Sequence, residues 1–256
     1  MPASPPEAAA LSPLPGLDEY VDAFLHRPLA RVLVVAIRNT SVTPNGITVA
    51  SGIVGIAAGI FIALSPDRPG FALAGAALLL AAVVLDCADG QLARLRGTTS
   101  TSGAMLDGVA DYVVGVSMFL GVCVAASATH GPYVWALGVA AGVSTAVNAF
   151  VYDTMKDRIA RRWGARWDWR EGDLVRVVAA RDEAAKRGDG VEAVLLGAFA
   201  RYAGLQRGVL PDPAGGSLEH GWARTAWRTF GIGTHLCAAY LAVALSAHTD
   251  ACRCRM

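Results

Sequence analysis

The sequence predicts an all-α protein: a polytopic transmembrane helix bundle of five to six spans, with an N-terminal interfacial helix and a cytoplasmic helical insertion. Three observations carry that expectation. Apolar residues make up 54% of the 256 residues and charged residues 17%, and the mean hydropathy is +0.43, high for a soluble domain. Apolar runs fall at about 46–64, 70–88, 104–128, 133–152 and 225–247, each near the roughly 20 residues that cross a bilayer core. The Lys and Arg residues concentrate in alternate connectors between those runs.

Residues 1–17 are rich in Pro and Ala, lack a basic start or cleavage site, and read as a disordered tail and not a signal peptide. Residues 18–42 form the juxtamembrane unit. Tyr20, Phe24, Leu25, Leu29, Val32 and Leu33 alternate there with His26, Arg27, Arg31 and Arg38, the pattern of a helix lying on a membrane face. A helix buried as in a soluble protein is the alternative. Thr43 and Pro44 then supply an N-cap and a first helical position for the first span. Residues 43–155 make the four-span core.

Residues 156–221 form a polar insertion that holds Trp163, Trp167 and Trp169 and ends in a Pro/Gly-rich stretch at 211–216. It is expected to fold as cytoplasmic helices, with 191–208 apolar enough to dock on the membrane or the core. The Trp cluster reads as interfacial anchoring, and no nucleic-acid partner is expected. Residues 222–256 hold the last span and a tail. Arg27, Arg31, Arg38, Arg94, Arg96, Lys156, Arg158, Arg161 and Arg162 all fall on one side of the predicted topology, and the positive-inside rule makes that side cytoplasmic. Cys87, Cys123, Cys237 and His235 read as packing residues inside apolar runs, and Cys252-Arg-Cys254 as an incidental tail.

Where the second and third runs adjoin, the chain reads Asp86-Cys-Ala-Asp89-Gly90-Gln-Leu-Ala93-Arg94, eight residues, then Gly103-Ala-Met-Leu-Asp107-Gly-Val-Ala-Asp111. An Asp at the centre of a membrane helix costs about 2.5–3.5 kcal/mol, so four left unpaired at mid-depth would cost roughly 10 kcal/mol. At helical spacing Asp86 and Asp89 share one face, and Gly103, Asp107 and Asp111 form a stripe on the next helix. Two helices facing through these stripes gather four hard oxygen donors. That set suits magnesium or manganese and is large enough for two ions.

This segment resembles the signature of the CDP-alcohol phosphotransferases, Asp-x2-Asp-Gly-x2-Ala-Arg-x8-Gly-x3-Asp-x3-Asp, at all eight of its fixed residues. The resemblance implies transfer of a substituted phosphate from a CDP-linked donor to an alcohol, with release of CMP, by a multi-pass enzyme of the cytoplasmic membrane that forms a homodimer. It implies Asp86, Asp89, Asp107 and Asp111 as ligands of two divalent cations, with Asp111 also the base for the acceptor hydroxyl. It implies a cytidine pocket lined by Gly90, Ala93, Arg94 and Gly103. The residue types suit those roles. Glycines admit close backbone approach, and an arginine fork matches phosphate oxygens.

The segment around Thr43-Pro44-Asn45 likewise resembles one that these enzymes place near the nucleotide, which makes Asn45 and Thr48 nucleotide contacts. Asn148, Tyr152, Asp153 and Lys156, polar at the cytoplasmic end of the fourth span, are candidates for acceptor binding. The run 227–235 resembles, weakly, relatives that use inositol derivatives. The donor is therefore expected to be CDP-diacylglycerol or a soluble CDP-alcohol such as CDP-inositol.

The pattern departs from the family in two places. Six spans are usual and five runs are found, so either 191–208 counts as a span or one is missing. Tyr112 stands where many relatives carry a basic residue, which speaks against a phosphorylated acceptor. Two other classes place carboxylates in membrane helices: prenyltransferases that hold a pyrophosphate through magnesium, and non-enzymatic cation-binding or transport proteins.

Overall fold

The computed structural model describes residues 18–162, 174–209, 225, 228–229 and 231–253. The expected tail 1–17, the Trp cluster, the stretch 211–216 and Cys254 lie outside the described residues. Among the described residues all regular structure is helical.

Asp22–His26 forms a π-helical turn that continues into α1, Arg27–Ile37, with Pro28 in its first turn. α2 spans Pro44–Ala63, and its N-cap Thr43 accepts a hydrogen bond from the Gly46 N–H at 3.1 Å. α3, Pro69–Arg96, ends at Gly97 in the left-handed region (φ 64°), where the N–H groups of Gly97 and Thr98 return to the carbonyls of Arg94 and Ala93. α4, Thr101–His130, starts from Ser100, whose hydroxyl accepts the Gly103 N–H at 3.0 Å. α5 is Tyr133–Arg162, α6 Leu174–Arg187, α7 Gly190–Val209 and α8 Ile232–Arg253.

Of the five expected runs, four become helices long and apolar enough to cross a membrane: α2, α3, α4 and the first 24 residues of α5. The fifth becomes α8, whose apolar stretch Gly233–Ser246 is shorter. α7 is not among the four. It folds back on α6 as a helical hairpin that buries Val177, Ala184 and Leu196 against Met105 of α4. Phe150 of α5 meets Tyr202 of α7 edge to face, with ring centroids 5.6 Å apart. The insertion thus docks on the core, beside the motif.

α2 is wedged between α3 and α4, and its small residues let it in. At 28 and 30 residues, α3 and α4 are about 42 and 45 Å long, so their motif ends lie near or beyond the edge of a ~30 Å apolar layer. A Cβ on Gly55 would strike Val114 of α4, and one on Gly59 the Ser117 carbonyl. Gly121 in turn meets the Gly59 backbone. This is the close packing by which membrane helices associate without a hydrophobic driving force. Ala58, Ala76, Leu79, Ala82, Val114 and Met118 fill the space between, with Tyr240 of α8 closing the cluster.

α1 presents two apolar faces. Ala30 and Val34 are fully buried against Ile47, Ala88 and Leu92, while Val32, and Phe24 on the π-helical turn before it, are 71% and 76% exposed. The first face seats the helix on the end of α3. The second is the apolar stripe that an interfacial helix needs.

Candidate active site

The motif falls on the last three turns of α3 and the first three of α4, joined by the short link 97–100. Because α3 stops at Gly97 and α4 restarts at once from the Ser100 cap, the two stripes are held facing each other. Oxygens of Asp86, Asp89 and Asp107 lie within 4.8 Å of one another. Asp111 stands in hydrogen-bonding reach of Asp86 and within electrostatic range of Asp89 and Asp107. Asp111 is the one of the four that is exposed to solvent.

The three clustered carboxylates fit a divalent cation, with Asp111 beside them. Asp86 Oδ1 is buried and has no hydrogen-bond partner, a costly state for a carboxylate unless a cation supplies the missing contact. Two oxygens on one magnesium-sized ion lie at most about 4.2 Å apart, twice a ~2.1 Å bond. The cluster therefore needs to contract by at most about 0.6 Å from its 4.8 Å span.

Asp89 is the most embedded of the four, 5% exposed. Its carboxylate accepts the Thr48 hydroxyl, presented across the helix interface by α2, and the Gly90 N–H. Beside it the Arg94 guanidinium folds back over Gly90, where a Cβ would sit 3.2 Å from the nearest guanidinium nitrogen. On the opposite side a Cβ on Gly103 would lie 3.2 Å from Asn45 Oδ1. Gly90 and Arg94 thus border Asp89, Gly103 and Asn45 meet between α4 and α2, and Ala93 lies half-buried on α3. Thr48, expected beside a nucleotide, has its hydroxyl engaged with Asp89.

Arg96 has a different task. Its guanidinium donates to the carbonyls of Ile37, Arg38, Thr40 and Val42, so it ties down the link between α1 and α2.

The expected acceptor residues are less uniform. Tyr152 is 5% exposed, and Asn148 is half-buried on α5. Asp153 is an electrostatic neighbour of Asp111. The Lys156 ammonium lies 3.6 Å from Asp18 Oδ1 and 5.8 Å from the centre of the Tyr152 ring. It is therefore engaged with the N-terminal segment. Tyr112 is 57% exposed. His235 makes a hydrogen bond to the Gly231 carbonyl at 2.8 Å, a packing role, and the cysteines at 87, 123 and 237 are unbridged.

A polar clasp beside the site escaped the reading of the sequence. Asp18 is held by Arg27 at 2.9 Å. The Glu19 carboxylate accepts the N–H groups of Gly233 and Thr234, at 3.2 and 2.8 Å, and the Thr234 hydroxyl at 3.0 Å, so it caps the start of α8. Asp22 bonds His26 at 2.8 Å, and His26 reaches Tyr240 at 3.3 Å. Burial, reinforced by the neighbouring Asp22, pushes the Glu19 carboxyl above its ordinary value. The signal lay in the acids Asp18, Glu19 and Asp22 on an otherwise basic amphipathic segment, together with Gly231 and Gly233. Those glycines leave room for the carboxylates, since a Cβ on Gly231 would overlap Glu19 and one on Gly233 would overlap Asp22.

These features define a multi-pass helical membrane protein with a four-carboxylate site at the junction of two spans. A family model described as CDP-alcohol phosphatidyltransferase matches residues 41–179, more than half of the chain and all of the motif. The chain belongs to that family, whose members are phosphotransferases of phospholipid synthesis that act in membranes on CDP-alcohols and alcohol acceptors, generally with divalent metals. Among curated proteins, no sequence matches it.

Proposed function

We propose that this protein transfers a substituted phosphate from a CDP-linked donor, either CDP-diacylglycerol or a soluble CDP-alcohol such as CDP-inositol, to an alcohol acceptor and releases CMP. The observation that carries the reading is the gathering of Asp86, Asp89 and Asp107 within 4.8 Å beside Asp111. Asp86, Asp89, Asp107 and Asp111 would hold two divalent cations, magnesium or manganese. Bound there, the ions would neutralise the pyrophosphate and the charge developing on the departing CMP.

The remaining steps belong to the chain's own residues. Gly90, Ala93, Gly103 and Asn45 take the cytidine portion, and Arg94 offers its fork to phosphate oxygens. Asp111, exposed to solvent beside the cluster, takes the proton of the acceptor hydroxyl. A new bond forms between that oxygen and the phosphorus distal to the cytidine, and the bond from that phosphorus to CMP breaks. Tyr152, Asn148 and Lys156 lie on α5 toward the acceptor side. The charge pattern supports a site that opens to the cytoplasm, with α1 on the membrane face and the insertion 156–221 on the same side. The enzyme is read as a homodimer of the cytoplasmic membrane, by family resemblance.

The test is a matrix of CDP-diacylglycerol and soluble CDP-alcohols against candidate alcohols, with CMP and the product followed by mass spectrometry. One donor and acceptor pair should yield stoichiometric CMP and phosphodiester. Prenyl transfer, or ion flux without nucleotide dependence, would replace the reading.

A further inference from the structure

We infer that Thr48 is a positioning residue for Asp89: its hydroxyl holds one carboxylate oxygen so that the other stays turned toward the cation site. The inference rests on the proposed cation site and adds to it a role for a residue on the one helix of the wedge that carries none of the four carboxylates. Thr48 Oγ1 donates to Asp89 Oδ2 from α2, and both side chains are buried, at 3% and 5% exposure. One turn deeper on the same side of α2, Ser51 Oγ donates to the Ala82 carbonyl at 3.0 Å. Two hydroxyls thus fasten α2 to α3, one to backbone and one to a carboxylate.

The physical consequence differs between the two contacts. A carboxylate can rotate about its last torsion, and a ligand free to rotate must be ordered when the ion binds. A buried hydroxyl fixed on a packed helix removes that freedom in advance. Partners behind a metal ligand commonly contribute 10–100-fold to affinity for this reason. A residue whose hydroxyl served the nucleotide instead would leave cation affinity alone, so the two roles separate experimentally.

The measurement is Mn2+ binding to the full-length protein in detergent, without donor, by electron paramagnetic resonance of the free ion. Cytidine nucleotide affinity is measured alongside. Thr48→Val, close in shape but without the donor, should weaken Mn2+ by roughly 10–100-fold, while Thr48→Ser should bind as wild type. If Thr48→Val does not elute as folded protein, Thr48→Ala removes the same donor with less bulk. Wild-type Mn2+ affinity in the variant without the hydroxyl would overturn the inference, whether or not nucleotide affinity falls. Equal absence of Mn2+ binding in wild type and in Asp86→Asn would instead overturn the cation site on which the inference stands.

Discussion

Replacing Gly231 by alanine tests the clasp between the N-terminal segment and α8. The new Cβ would overlap the Glu19 carboxylate, which is packed in place with 2% of the residue exposed and cannot swing aside without losing its partners. Three hydrogen bonds go with it, from Gly233 N, Thr234 N and Thr234 Oγ1. A hydrogen bond to a charged group contributes about 1.5–3 kcal/mol, and the three share one acceptor, so a loss of about 3 kcal/mol is expected. For a chain of this length that is a fall in melting temperature of roughly 6–12 °C, read by intrinsic fluorescence in detergent. The double variant Gly231→Ala with Glu19→Gly removes the overlapping atoms and should cost less than the sum of the two single changes. A Gly231→Ala protein melting within about 2 °C of wild type would refute the contact.

The same clasp gives a pH dependence. The folded Glu19 pKa lies above its ordinary value of 4.5, so above that pH the folded state retains a proton that the unfolded state has lost. Stability from this group therefore falls as pH rises toward the folded pKa, and Glu19→Gln should flatten that part of a melting-temperature profile. Alanine at Gly121, which meets the Gly59 backbone, forces α2 and α4 apart and should cost more than about 3 kcal/mol, seen as loss of monodisperse protein on size exclusion. Arg96→Ala frees four carbonyls of the α1–α2 link and should speed proteolytic cleavage near 38–43 several-fold in limited digestion, and lysine, lacking the planar fork, should restore protection only in part. Removing the Thr43 cap with alanine deprives the Gly46 N–H of its partner and should lower stability by about 1 kcal/mol, measured in the same melts.

Features that were legible in the sequence are those written in local spacing. The apolar runs gave α2 and α4 nearly to their ends, while α3 and α5 continue past theirs to Arg96 and Arg162, because a helix runs on through polar residues that hydropathy does not register. Thr43-Pro44 marked a helix start, whereas the Ser100 cap of α4 and the Gly97 stop of α3 were not singled out. The stripes of Asp86, Asp89, Asp107 and Asp111 follow from helical geometry once both helices are placed, which is why the carboxylates come together as expected. Contacts between segments far apart in the chain were not legible. Glu19 and Thr234 are 215 residues apart, and nothing in either neighbourhood names the other. Lys156, expected to bind the acceptor, also lies beside Asp18, and Thr48, expected beside the nucleotide, also donates to Asp89; neither partner could be read from the local sequence. The docking of Leu196 on Met105 gives the apolar face of 191–208 a packing partner on the core.

The central claim is that the four carboxylates act together as one cation-dependent site that releases CMP. The most direct measurement is CMP release by purified protein across a magnesium and manganese titration from a chelated start, in wild type and Asp111→Asn. The account predicts no release without the ion, saturable release with it, and a loss of at least about 100-fold in Asp111→Asn, the share that a positioned base supplies, with melting temperature unchanged. CMP release that survives chelation, or that Asp111→Asn leaves intact, would contradict it.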